Sequence, residues 1–161
     1  MKVINDKKFA YPVYFDLEEP KQLALSKAKC SAIAKAFLKT IEQTGYFVGL
    51  YMSKSALKSY ITEDIRNRYA IWVAHYGVPR TSYVGQFGIW QKSDTGSLPG
   101  ISGNVDLDEC YMDYPTLIHN AGLNGFAKSG SAPKPEPDAK QEKYFSISVD
   151  GKIYSGTLTE E

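Results

Sequence analysis

Asp16 and Glu18 stand two positions apart near the end of the stretch Tyr11-Pro12-Val13-Tyr14-Phe15-Asp16-Leu17-Glu18-Glu19. The stretch reads as one β-strand. Side chains alternate along a strand, so Val13, Phe15 and Leu17 point to one face and Tyr14, Asp16 and Glu18 to the other. Both faces carry large residues, as in a parallel strand buried on both sides. Two carboxylates on one buried face resist ionising together, so one is expected to keep its proton and the other to lose it. An acid beside a base is what cleavage of a glycosidic bond requires. The same spacing also fits a strand whose last residues simply reach solvent.

The elements that must position this pair follow in order. Pro20 stops the strand and suits the first turn of a helix. Apolar residues at helical spacing (Ala28, Ala32, Phe37, Ile41) predict a helix over 21–44, ended by Gly45. A second buried strand is expected over 46–52. A helix over 54–67 would turn Leu57, Ile61 and Ile65 inward, with Ser53 or Ser55 as its cap. Strands over 69–76 and 86–91 follow. Residues 92–103 read as a polar, glycine-rich loop, and 115–120 as a short helix. Strand–helix alternation predicts parallel strands joined by right-handed crossovers, with the site at their carboxyl ends.

Composition narrows the function classes. A net charge of +1 over 161 residues leaves no broad basic face for nucleic acid. No apolar run approaches the ~18 residues that span a membrane, and the first six residues lack the apolar core of a signal peptide. Cys30 and Cys110 have no metal-type spacing and read as free buried thiols. With no histidine pair at ligand spacing and no glycine-rich phosphate loop, neither a metal nor another cofactor is expected. His75 and His119 read as structural or surface residues. The 12 tyrosines supply rings that suit a sugar-binding cleft, and equally a tyrosine-rich core. Three regions result: a main body over 1–127, a Pro/Ser/Gly-rich linker over 128–141, and a C-terminal β-hairpin over 142–161 turning at Asp150-Gly151.

Several segments together resemble glycoside hydrolase family 25, the muramidases often called Chalaropsis-type lysozymes. They are Tyr-Pro-Val-Tyr-Phe-Asp-Leu-Glu at 11–18, Gly-Tyr-Phe-Val-Gly-Leu-Tyr at 45–51, Ile-Trp-Val-Ala-His-Tyr at 71–76, Ile-Trp-Gln at 89–91 and Ile-Ser-Gly-Asn-Val-Asp-Leu-Asp at 101–108. The resemblance runs in order over residues 9 to 126. It implies a modified β/α barrel that cleaves the β-1,4 bond between N-acetylmuramic acid and N-acetylglucosamine in peptidoglycan, at the bacterial cell wall. By that likeness Glu18 is the general acid and Asp16 supports the transition state. Tyr14, Tyr51, Trp72, Tyr76 and Trp90 line the substrate groove, and Asp106 is an acid of the last strand beside it. The family's first-strand Asp-x-Ser motif has no counterpart here. The expected fold class is therefore α/β, a partial TIM-like barrel of parallel strands five to eight with the N-terminal half absent. Two further expectations follow from that. One is association, either self-pairing or complementation by an N-terminal fragment. The other, an alternative to catalysis, is a remnant or split-gene fragment that binds wall glycan without cutting it.

Overall fold

The computed structural model describes residues 3–128 and two further strands at 143–149 and 152–158. Four strands lie side by side and parallel: β1 (Val13–Asp16), β2 (Val48–Ser53), β3 (Ala70–Ala74) and β4 (Ile89–Gly96). The next strand, β5 (Val105–Cys110), breaks the expected pattern, because it returns antiparallel along β4. The polar stretch after Gln91, expected as a loop, therefore extends β4 to Gly96. Register shifts between Gln91 and Ser93 and between Ser93 and Gly96 accommodate its polar residues as bulges in the hairpin. Beyond β5 the sheet continues through β6 (Lys143–Val149), paired at Cys110↔Tyr144, to β7 (Lys152–Leu158), which runs antiparallel to β6. Strand order thus follows chain order. The expected linker, from residue 129 on, lies outside the described residues.

The helix expected over 21–44 divides into α1 (Pro20–Leu23) and α2 (Lys27–Glu42). Ser26 makes the break: its hydroxyl accepts from the Lys29 amide and restarts the helix as an N-cap. Gly45, at φ +85°, then turns the chain toward β2. The helix expected over 54–67 also divides, into α3 (Lys54–Tyr60) and α4 (Glu63–Arg68). Here the cause is tertiary. The Ser31 hydroxyl of α2 donates to the Tyr60 carbonyl at 3.2 Å and accepts from the Thr62 amide at 3.0 Å. It thereby satisfies two backbone groups that a continuous helix would have paired internally.

Alternation along the strands builds two cores. Leu17, Leu50, Met52, Ile71, Val73 and Trp90 face the helices, where Ala34 and Leu38 of α2 and Leu57 of α3 meet them. On the opposite face Tyr14, Trp72, Ile89 and Cys110 pack with Phe47 and with α5 (Tyr114–Ala121). Cys30 and Cys110 are free and buried, one in each core. The split of Val13 and Phe15 from Tyr14 between these cores is the alternation read from β1.

One buried polar residue ties the strand starts together. Asn124 is fully buried. Its side-chain amide donates to the Phe9 and Tyr11 carbonyls at 2.9 and 2.8 Å, and its Oδ1 accepts from the Phe47 amide at 2.6 Å. It therefore aligns the chain entering β1 with the chain entering β2. Asn124→Ala would leave these buried backbone groups unpaired, and is expected to cost roughly 3 kcal/mol. Urea unfolding checks this; a loss well under about 1 kcal/mol would contradict the assigned role.

Candidate active site

The register carries the site. Asp16 of β1 pairs with Tyr51 of β2, Tyr51 with Trp72 of β3, and Trp72 with Ile89 of β4. In a sheet such partners share a face, so Asp16, Tyr51 and Trp72 stand in a row on the face away from α2 and α3. Tyr14 lies one rung earlier, opposite Gly49. A side chain at Gly49 would begin 2.3 Å from the Tyr14 ring, so glycine is what lets that ring lie across β2. Trp72 meets Tyr14 edge-on at 5.4 Å between centroids and Tyr51 at 4.9 Å. The floor of the site is thus a set of crossed rings held by geometry rather than by area alone.

The acids gather at the carboxyl ends of the parallel strands. Asp16 ends β1 and Glu18 follows it two residues on; both are exposed. This corrects the expectation of a buried acid pair: the strand stops at Asp16, and its last rungs reach solvent. Glu18 still holds its proton more tightly than an ordinary glutamate, through partial desolvation and then through the charges of Asp16, Glu19 and Asp106. Asp16 is raised as well, by desolvation and by Glu19. Because β5 is antiparallel, Asp106 comes from its beginning and arrives at the same end of the sheet. Asp16, Glu18 and Asp106 therefore form one electrostatic group drawn from the end of β1, the residues just after it and the start of β5.

A polar chain crosses the middle strands beside them. The buried Gln91 Oε1 accepts from the Tyr51 hydroxyl at 2.6 Å and also from the Tyr76 hydroxyl. Burial and the bond to Tyr76 push the Tyr51 phenol far up, so it stays a neutral donor. Tyr76 is exposed, and its phenol is raised by desolvation, with Asp94, Asp106 and Glu18 adding to it. The structure brings Asp16, Glu18, Tyr51, Trp72, Tyr76 and Asp106 to one face and one end of the sheet.

Two expected groove residues sit elsewhere. Trp90 is a correction. It is 2% exposed, pairs with Val73, packs in the helix-side core and donates its indole N–H to the His75 carbonyl at 2.9 Å. Its neighbour Ile89 takes the site face, so alternation sends Trp90 away from it. Tyr14 meets Trp72 edge-on, with its hydroxyl buried against that of Tyr114, so it supports the floor. The two histidines stand apart: His75 follows β3 with Nδ1 at 3.1 Å from the Thr81 hydroxyl, and His119 is exposed on α5.

Two residues were missed in the sequence. Gln91 is the shared acceptor just described. Asp108 accepts from the Trp72 indole N–H at 2.7 Å, and its carboxyl is pushed up to about 7, chiefly by burial and further by Asp106, against the indole bond that lowers it. The signal for Asp108 was present: Asp106-x-Asp108 repeats the spacing of Asp16-x-Glu18, which puts both acids on one strand face. Among the described residues, no cluster of three or more His, Cys, Asp or Glu side chains is placed to hold a metal ion. No helix among them is long and apolar enough to cross a membrane.

Comparison with known proteins bears on the family and the fold. The sequence pattern of the glycosyl hydrolases family 25 matches residues 1–101. An autolytic lysozyme of Clostridium acetobutylicum is 33% identical over 91 residues, which are 54% of this chain and 26% of that protein. Among solved structures, the CTP1L endolysin aligns with a TM-score of 0.57 at 24% identity, covering 73% of this chain and 41% of that one. A bacterial lysozyme from Streptomyces coelicolor aligns at 0.54 and 21% identity, over 71% and 55% of the two chains. The Clostridium perfringens spore cortex lytic enzyme SleM aligns at 0.52 and 16% identity, over 86% and 46%. At these identities the structural matches establish the shared fold. The chain spans about a quarter of the curated relative's length and roughly half of the solved structures'.

The raised Asp108 carboxyl has a defined effect on stability. Its ordinary value is 3.8 and its folded value about 7, so between them the folded protein binds a proton that the unfolded chain has released. Stability from this group is full below about pH 4 and is lost as pH rises through about 7. Asp108→Asn removes the dependence. Melting temperatures of the two proteins are expected to diverge in the variant's favour between pH 4 and pH 8; a gap that does not change with pH would contradict it.

Proposed function

Because the chain belongs to glycosyl hydrolases family 25, we propose that it acts on peptidoglycan as a muramidase, cutting the β-1,4 bond between N-acetylmuramic acid and N-acetylglucosamine. The observation that carries this reading is the meeting of Glu18, Asp16 and Asp106 at one end of a sheet face floored by Trp72 and Tyr51. Glu18 is the general acid. Partial desolvation, and then its neighbours' charges, hold its proton to higher pH than usual, and its exposure lets it reach a leaving oxygen. Asp16, on the adjacent rung, is the anion that supports positive charge developing at the sugar carbon. It does so directly or by orienting the substrate's acetamido group. Trp72 and Tyr51 offer ring surface to sugar faces, and the Tyr76 hydroxyl, fixed by Gln91, offers a polar contact at the exposed end.

On this reading β1 to β4 correspond to strands five to eight of the family barrel, and the body over 1–127 is the catalytic unit. Among the described residues, the outer edge of β1 ends the sheet. A free parallel edge can accept a further strand, from a second copy of the chain or from a complementing N-terminal fragment.

Clearance of a suspension of purified bacterial cell walls tests the proposal. Glu18→Gln keeps the side chain's size and removes its acid, and is expected to slow clearance roughly a hundredfold or more. Folded wild type that clears nothing, or a Glu18→Gln variant as fast as wild type, would contradict it.

A further inference from the structure

Trp72 is gripped from two directions. Tyr14 and Tyr51, from β1 and β2, meet the indole edge-on at interplanar angles of 65° and 66°. From the other side, β5 reaches across β4 and sets the Asp108 carboxylate 2.7 Å from the indole nitrogen. The reach is direct, because Asp108 pairs with Gln91 and shares the site face with it. Ring contacts restrain an indole's tilt weakly, whereas a hydrogen bond to its nitrogen fixes which edge points where. Gln91 is already committed to the hydroxyls of Tyr51 and Tyr76. Among the described residues the Trp72 indole N–H has no other hydrogen-bond acceptor, so truncating Asp108 leaves a half-buried indole N–H without its partner.

We propose that Asp108 is a positioning residue: its carboxyl anchors the Trp72 indole so that the ring stands as a fixed sugar-facing wall between the β1 acids and Asp106. The proposal rests on the muramidase reading for its consequence in catalysis, but the anchoring itself does not need substrate. The titratable groups whose charges couple to Asp108 are Asp106 and Cys110, both on its own strand. No lysine or arginine among the described residues is ion-paired with it. Its charge state is therefore read by the ring it holds. An ionised carboxyl is a stronger acceptor for the indole N–H than a neutral one. The grip on Trp72 tightens as Asp108 loses its proton.

The chain has 2 tryptophans, Trp72 and Trp90, so intrinsic fluorescence reports on few sites. Intact wild-type protein, titrated without glycan, is expected to show an emission change centred near pH 7, the value to which Asp108 is raised. Asp108→Asn, which keeps an acceptor oxygen but cannot ionise, loses that change. Any shift that His75 imposes through its contact with Trp90 persists in both proteins. In the cell-wall assay, Asp108→Ala raises KM roughly tenfold or more, with kcat less affected, and Asp108→Asn recovers most of the loss. Superposable fluorescence titrations for wild type and Asp108→Asn would overturn the proposal, as would a fall in kcat at unchanged KM. If no variant cleaves cell wall, the functional reading fails while the fluorescence comparison still decides the anchoring.

Discussion

Asp16, Tyr51, Trp72 and Ile89 are successive partners in one parallel hydrogen-bonded ladder, and nearly every other feature of the site follows from that alignment. A side chain's face in a sheet is set by its register. A slip of one residue in β2 would turn Tyr51 toward the helices and bring Leu50 to the site. The register is defended on both sides. Leu50, Met52, Ile71 and Val73 are at most 1% exposed beneath the helices, so moving them outward would expose most of the principal core. Asn124 pins the strand starts from the opposite end, through backbone groups whose loss of partners is costly whatever the side chains do.

The electrostatics are a consequence of the same alignment. β1 and β5 are separated by three intervening strands, yet an antiparallel return brings the start of β5 to the level where the parallel strands end. That is why Asp106 raises the cost of ionising Glu18, although their numbers differ by 88 (106 − 18). No cation among the described residues pairs with Asp16, Glu18 or Asp106. The three ion pairs among the described residues, Lys35–Asp64, Arg68–Glu42 and Lys92–Glu109, involve none of these three acids. A site that must hold a proton on one carboxyl and a charge on another is served by leaving such acids uncompensated.

Much of this was legible in the residues. Period-two alternation in β1 separated Tyr14 and Asp16 from Val13 and Phe15, and the helical stripes of Leu57 and Ile65 pointed inward as their spacing required. What could not be read depends on distant partners. The break between α3 and α4 is made by a hydroxyl of α2, and nothing local marks Ile61 and Thr62 as extended. The direction of β5 is set by its hairpin with β4, whose polar residues look like a loop because one side of the hairpin is wet and the pairing is bulged. Trp90 was misplaced for a related reason. A strand that is apolar on both faces gives no sign of which face meets the helices, and its register with Val73 decides the matter. Asp108 hid behind Asp106 because burial, and not residue type, separates their behaviour.

The two tryptophans offer the most direct measurement of whether the ladder face is the one that meets glycan. Their indole N–H groups are held by different partners, Asp108 for Trp72 and the His75 carbonyl for Trp90, and so give distinct resonances. Titration of isotope-labelled protein with a soluble β-1,4-linked N-acetylglucosamine oligomer is expected to shift the Trp72 indole signal and the amides of Glu18, Tyr76 and Asp106, leaving the Trp90 indole unmoved. Shifts confined to Trp90 and the faces of α2 and α3, with Trp72 silent, would contradict the account.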